Sequence, residues 1–201
     1  RRTPDKLLLN CFSGCRPEMI VAAVELDMRA LFLDGARPSV RPQAERLTLA
    51  AFAAAKYLPV AFLADAGVVE QPWGLRITYR THDGSPAPRQ RKRTALAAKD
   101  GSTWDGPPGG AVLPYGLWRL DDALELGSVL LVEGETDALT AWFHNRPCLG
   151  IPGADMVKIL AADTVTGIER LYVVQEPDRG GTTFIANVRQ RLREIGWPGA
   201  A

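Results

Sequence analysis

A mixed α/β fold with a parallel sheet is the class this sequence predicts, and two observations carry the prediction. From residue 129 onward, strand-like apolar runs alternate with helical patterns: a strand from 129, helix 137–144, short strand 148–151, helix 155–162, strand 170–175 and helix 181–195. Strands separated by helix-length connections pair in parallel. The second observation is that two of these strands share one ending. Val129-Leu130-Leu131-Val132 runs into Glu133-Gly134-Glu135-Thr136-Asp137, and Leu171-Tyr172-Val173-Val174 runs into Gln175-Glu176-Pro177-Asp178-Arg179-Gly180-Gly181. Both read as a buried apolar strand that ends in carboxylates and glycine before a helix.

Size and composition agree with this class. The chain has 201 residues, 46% hydrophobic and 23% charged, ordinary values for a globular protein with one or two small domains. A net charge of +1 does not announce a nucleic-acid binder, so any such role must come from local basic patches. No apolar run is long enough to span a membrane, so no membrane partner is expected. Three cysteines and no signal-peptide pattern predict a reducing cytoplasmic setting. No GxxxxGK[ST] occurs, which excludes a P-loop in this segment. Arg1-Arg2 stand directly before a strand-like run, and the sequence stops just after a helix at Trp197-Pro198-Gly199, so a fragment of a longer protein is expected.

The elements follow in order. Residues 7–35 predict a strand at Leu7-Leu8-Leu9, a turn at Cys11-Phe12-Ser13-Gly14-Cys15, and a helix. Pro17 and Glu18 suit that helix start, and Ile20, Val21, Val24, Leu31 and Phe32 give its apolar face. Residues 34–43 read as a linker. Residues 46–66 predict two helices, the second starting at Pro59 and ended by Gly67. Residues 73–96 predict a β-meander: 73–80 alternate at period two, His82-Asp83-Gly84 supplies turn chemistry, and Arg89, Arg91, Lys92 and Arg93 lie on the return strand. The Gly- and Pro-rich stretch 99–111 predicts a loop, and 112–126 a short element and a helix.

The carboxylates carry the chemistry. Glu133, Glu135 and Asp137 suit a helix start, where acids meet the positive end of the dipole. They also suit a metal site. Glu133 directly follows a buried run, where an unpartnered carboxylate is costly. Glu176 and Asp178 lie two apart in extended chain and so point the same way, and Gly180-Gly181 admits a ligand closely; the alternative is an acidic turn with a helix cap. Carboxylates at the carboxyl ends of neighbouring parallel strands suit Mg²⁺, a hard cation that binds through one or two carboxylates plus phosphates. The pattern therefore points to a metal-dependent enzyme acting on phosphodiesters or nucleotides. Arg76, Arg91, Lys92 and Arg93, with Arg80 and Arg89, either line a groove for template or nucleotide phosphates or form a solvated strand face. Arg189, Arg191 and Arg193 are expected on a helix surface. His82 and His144 read as surface or satisfied residues, and Cys148 as core.

Val132-Glu133-Gly134-Glu135-Thr136-Asp137 followed by Glu176-Pro177-Asp178-Arg179-Gly180-Gly181 resembles a TOPRIM domain, the metal-binding module of DnaG-type primases, topoisomerases and some nucleases. Tyr115-Gly116-Leu117-Trp118 resembles the Tyr-Gly-Leu that primases carry just ahead of that domain. Leu149-Gly150-Ile151-Pro152-Gly153-Ala154 resembles the glycine turn of phage and plasmid primases, and Cys11-Phe12-Ser13-Gly14-Cys15 the second half of a primase-type zinc ribbon.

The resemblance implies an architecture: the tail of a zinc-ribbon domain in 1–35, a small α+β subdomain in 44–112 and a Rossmann-like TOPRIM sheet in 113–201. It implies Glu133 and Asp137 as catalytic residues, and Glu133, Glu176 and Asp178 as ligands of Mg²⁺ or Mn²⁺. Glu176 stands where the family usually has Asp. Cys11 and Cys15 would be half of a zinc site, with Zn²⁺ bound only if an upstream half is present, because a structural site needs four ligands. The implied function is DNA primase: metal-dependent synthesis of RNA primers from nucleoside triphosphates on a single-stranded DNA template, with a replicative helicase as a separate or fused partner. A TOPRIM-type nuclease using the same cluster, or a non-catalytic nucleic-acid-binding module of a mobile-element replication protein, are the alternatives.

Overall fold

The computed structural model describes residues 7–11, 15–32, 46–97 and 101–200. The predicted linker over 34–43 and part of the Cys11–Cys15 turn lie outside them. The chain divides into two compact units, residues 1–45 and 46–201.

In the first unit, Leu7 donates its N–H to the Leu31 carbonyl (2.7 Å), an isolated bridge rather than a strand. Helix α1 spans Pro17–Ala23, much shorter than the predicted helix. Glu25 adopts a left-handed φ of 59°, and Asp27 caps a separate 3₁₀ turn, Met28–Leu31, by accepting from the Arg29 N–H. The expected apolar face is therefore split: Val21 is buried, while Val24 is exposed.

The second unit holds two sheets. Helix α2 (Leu49–Lys56) starts at Thr48, whose hydroxyl accepts from the Ala51 N–H, and ends where Tyr57 turns left-handed. Helix α3 (Val60–Asp65) follows Pro59. Strands β1 (Val68–Gln71), β2 (Gly74–Ile77), β3 (Gln90–Arg93) and β4 (Ser102–Asp105) form an antiparallel meander in that order. Two of these strands depart from the prediction: β1 was not anticipated, and β4 lies inside the stretch expected to be loop. Gly74 is obligatory, since its φ is +142° and a Cβ there would lie 2.4 Å from the Arg93 carbonyl oxygen.

Helix α4 (Leu120–Leu126) leads into β5 (Ser128–Glu133), α5 (Glu135–Phe143), β6 (Cys148–Ile151), a 3₁₀ turn (Ala154–Ile159), α6 (Ala162–Val165), β7 (Arg170–Val173) and α7 (Arg179–Glu194). The expected helix over 155–162 is thus a 3₁₀ turn and one short α turn. The parallel sheet has the order β6-β5-β7, with β5 central.

Strand alternation builds the two cores. Val129 and Leu131 of β5, with Leu149 and Ile151 of β6, pack beneath Phe184, Val188 and Leu192 of α7. Val132 and Cys148 face the other way, joining Leu139 and Trp142 of α5, Leu75, Ile77 and Tyr79 from the meander, and Phe52 and Leu63 of α2 and α3. This second core locks the meander onto the parallel sheet. At about 1.5–3 kcal/mol for each fully buried large apolar side chain, it is a major source of the unit's stability. Tyr115, Trp118 and Trp142 stack on one another with ring centroids 5.0–5.5 Å apart. β7 departs from the expected buried strand: Leu171 is buried in the core with α7, but Tyr172 and the following Val174, which share the opposite face, are about half exposed. Among the described residues, no helix is long and apolar enough to cross a membrane.

Candidate active site

Glu133 is the last residue of β5, and Gly134 turns the chain into α5 with a φ of +109°. Beside it, Gly150 of β6 has no room for a side chain, because a Cβ would stand 2.5 Å from the Gly134 carbonyl oxygen. The β5–α5 turn is therefore seated on β6. Glu133 Oε1 accepts from the Ala154 N–H at 3.2 Å, which ties the turn to the segment after β6.

Beyond β7, Val174 and Gln175 run exposed to Glu176, and Asp178 caps α7: its Oδ1 accepts from the Gly181 N–H at 2.8 Å. Gly181 is pressed against this turn, since a Cβ there would lie 2.3 Å from the Glu176 carbonyl oxygen. The helix start itself thus places Glu176.

Glu133, Asp137 and Glu176 line one open cavity of about 330 Å³. Its remaining wall includes Lys56, Arg91, Arg93, Glu135 and Gly153. The acids feel one another. The Glu133 carboxyl is pushed above its ordinary range, first by burial, opposed by the Ala154 N–H, then by the charges of Glu176, Asp178 and Asp137. Asp137, though it reaches solvent, is also raised, by its protein surroundings first and then by Glu176, with Lys56 opposing. Asp178 contributes to this field but is not among the cavity-lining residues.

This donor set suits a hard cation. Its oxygens are carboxylates, they repel one another without a counter-charge, and they face an open, polar cavity. Among the described residues, no group of three or more His, Cys, Asp or Glu forms a ready-made cage. Mg²⁺ does not require one, since it usually keeps several waters and binds through one or two carboxylates plus phosphate oxygens.

The basic residues divide. Arg91 and Arg93 alternate with Lys92 on β3, so they take opposite faces of the sheet. Arg91 and Arg93 line the acid cavity. Lys92 lies directly across from Arg76 on the other face, over the Trp73 ring at 4.4 Å. The four residues therefore do not share one groove. Arg93 is buried, donates to the Leu96 carbonyl and sits over the Phe52 ring; burial lowers its pKa, with Glu135 opposing. On α7, Arg191 is no plain surface residue, for its Nε donates to the Leu160 carbonyl at 2.8 Å. His82 pairs with Asp121 at the surface, and His144 packs against Phe143. In the first unit, Cys11 is half-buried and Cys15 exposed.

For one residue of the site, neither sequence reading, helix-start acid or metal ligand, describes where the structure places its carboxylate. Glu135 is 3% exposed. It accepts a 2.5 Å hydrogen bond from the Tyr79 hydroxyl and stands 3.0 Å from Arg91 Nε, an ion pair without hydrogen-bond alignment. Tyr79 is itself fixed by Gln90, whose amide accepts from the Tyr79 N–H and donates to the Tyr79 carbonyl. Burial, then the charge of Glu135, holds the Tyr79 hydroxyl well above its ordinary pKa, so it stays a donor. The available signal was a second glutamate directly after the Gly134 turn, but its partners lie far away in sequence.

Comparison with known proteins bears on this arrangement. No protein-family model matches the chain. A 92-residue stretch is 29% identical to the Gene 57 protein of Mycobacterium phage D29, covering 44% of this chain and 60% of that protein. The chain is similar in fold to the crystal structure of the Aquifex aeolicus primase (zinc-binding and RNA polymerase domains), with a TM-score of 0.51 and 17% identity. That match covers 63% of this chain and 33% of the primase chain. The fold is primase-like.

Proposed function

We propose that this chain is part of a DNA primase, with a TOPRIM domain over 113–201, the small α+β subdomain over 44–112 and the tail of a zinc ribbon over 1–35. The observation that carries this reading is the single cavity in which Glu133, Asp137 and Glu176 meet Arg91 and Arg93, within a primase-like fold. Glu133 and Asp137 are the proposed catalytic residues, and Glu133 and Glu176 the principal metal ligands. Asp178, the third proposed metal ligand, also caps α7 and adds its charge to the cluster.

Bound there, Mg²⁺ or Mn²⁺ would neutralise charge on a nucleoside triphosphate and polarise its phosphoryl oxygens. The chain's own residues do the rest. Arg91 and Arg93 present guanidinium groups suited to phosphate oxygens. Glu133, raised in pKa and held by the Ala154 N–H, stands where it can take up charge or a proton at Oε2. Arg76 and Lys92, on the far face beside Trp73, suit a single-stranded template strand through charge and stacking. Cys11 and Cys15 are half of a zinc set, completed only by an upstream pair. A replicative helicase, separate or fused, is the proposed partner.

The test is incorporation of ribonucleotides on single-stranded DNA with Mg²⁺ or Mn²⁺, comparing wild type with Glu133→Gln. Metal-dependent primer synthesis lost in the variant is expected. Cleavage of the DNA without synthesis would instead assign the nuclease reading. Binding to DNA with neither activity would assign the non-catalytic module.

A further inference from the structure

Resting on the reading of the cavity as a triphosphate site, we infer that Glu135 is a positioning residue that aims Arg91 into the cavity and is not itself a metal ligand. Glu135 sits between two acids of the cluster in sequence, yet its carboxylate is turned into the protein. There the Tyr79 hydroxyl and Arg91 Nε occupy it. Arg91 is held on three sides. Its Nε stands against Glu135, its guanidinium lies over the Trp104 ring at 4.5 Å, and its backbone is locked between β2 and β4. Among the described residues, neither terminal nitrogen of Arg91 bonds a protein group, and Arg91 lines the cavity shared with Glu133, Asp137 and Glu176.

Phosphate recognition by arginine is a matter of a planar fork, so a guanidinium fixed by its Nε and by one face keeps its terminal donors for a ligand. Gln90 extends the device by clamping the Tyr79 backbone, and Tyr79 in turn fixes Glu135.

The two roles open to Glu135 have opposite signs. If it acted only through its charge, removing that charge beside an anion site would tighten anion binding. If it aims Arg91, removing it loosens binding although the cavity becomes more positive.

The experiment titrates inorganic tripolyphosphate, with and without Mg²⁺, into the chain by calorimetry, for wild type, Glu135→Gln, Glu135→Asp, Arg91→Gln and the double variant Glu135→Gln/Arg91→Gln. Thermal melts confirm that each variant is folded. Glu135→Asp keeps the charge but shortens the arm, so it separates geometry from field and serves where Glu135→Gln does not fold. On the inference, both Glu135 variants bind about tenfold more weakly, the scale of a lost charge-assisted contact. The double variant is no weaker than Arg91→Gln alone, because Glu135 acts through Arg91. Unchanged or tighter binding in both Glu135 variants overturns the inference, as does a wild type that does not bind tripolyphosphate. Ribonucleotide incorporation is measured in parallel. Weakened tripolyphosphate binding in a protein that makes no primers would keep the role of Glu135 and remove the primase reading. The converse pattern would keep the primase reading and remove the role of Glu135.

Discussion

At the end of β5 the chain turns through Gly134 and buries its next carboxylate, Glu135, against Tyr79 and Arg91. At the end of β7 it runs on through exposed Val174 and Gln175 to Glu176, and its next carboxylate, Asp178, caps α7. The sequence signature of strand, acid, glycine and helix is common to both turns. Their settings are not. β5 is the central strand with both faces covered, and β7 is at the sheet edge. Similar chemistry thus takes on different work: the first turn is tied to Gly150, Ala154, Tyr79 and Arg91, while the second is held by its own helix start and by the Val174 N–H on the Leu131 carbonyl. On the proposed reading, the more heavily tied turn would fix one cation ligand and the less tied turn would adapt the other to the shape of the bound phosphate.

The comparison breaks most clearly at the two glutamates that line the cavity. Glu133→Gln is expected to lower primer synthesis by about a hundredfold or more, the scale of losing a positioned catalytic or charge-stabilising group. Glu176→Gln, on the adaptable turn, should cost less and should be partly offset by raising Mn²⁺. Steady-state rates over a metal titration measure both. Equal losses that metal does not restore would erase the distinction between the turns.

Stability should separate them in the same direction. Glu135→Ala strips the partner from a nearly buried Arg91 and leaves the Tyr79 hydroxyl without an acceptor. Breaking a buried pair in this way costs about 3–5 kcal/mol, read as a shift in denaturant midpoint. Asp178→Ala removes a helix cap, worth about 1 kcal/mol, and relieves part of the repulsion on Glu133, so its net cost should be smaller still.

Gly181→Ala sharpens the picture of the second turn. Its new methyl would meet the Glu176 backbone at 2.3 Å, so either the turn or the first turn of α7 must move. Overpacking of this kind costs about 1–3 kcal/mol. The loss of affinity for Mn²⁺, followed by its paramagnetic effect on water relaxation, should exceed what the loss of stability alone would give. Unchanged Mn²⁺ affinity would show that Gly181 does not place Glu176.

What the sequence allowed one to read follows the same division between local and distant. The parallel sheet was legible because Val129–Val132 and Cys148–Ile151 are short apolar runs bounded by helix signals. β4 was not, because Ser102-Thr103-Trp104-Asp105 lies among glycines and prolines and carries only one large apolar side chain to mark it. β1 was hidden for a related reason: Val68-Val69-Glu70-Gln71 directly follows a helix, and only pairing with β2 makes it a strand. Meeting of Glu133 with Glu176 was inferable from strand ends in a parallel sheet. Burial of Glu135 was not, since Tyr79 and Arg91 reach it from a separate antiparallel sheet whose register no local pattern encodes. The division of Arg91 and Arg93 from Lys92 was available in principle from period two. It lacked meaning until the register placed Arg76 opposite Lys92 and Ile77 opposite Arg91.

The smallest expected effect is a pH dependence that only the acid cluster explains. Glu133 and Asp137 are both raised above their ordinary values of 4.5 and 3.8. For a carboxyl, a folded-state pKa above the unfolded one means that the folded state prefers the protonated form. The associated stability is fully present below the unfolded pKa and is lost as pH rises through the folded pKa. In metal-free buffer, therefore, this part of the stability should grow as pH falls through the carboxylate range toward about 4.5. Glu133 is only partly buried, so solvent screening limits its share to a few tenths of a kcal/mol. Saturating Mg²⁺ should flatten the rise, because a bound cation favours the ionised forms and stabilises the fold by mass action near neutral pH. Melting temperatures of wild type and Glu133→Gln, taken across that pH range with and without Mg²⁺, measure it. The variant should melt at or slightly above wild type near neutral pH without metal and gain less from Mg²⁺. A metal-free wild type whose stability falls steadily with pH through this range, at the same slope as the variant, would show that Glu133 is paired with a cation in the fold rather than crowded by like charge.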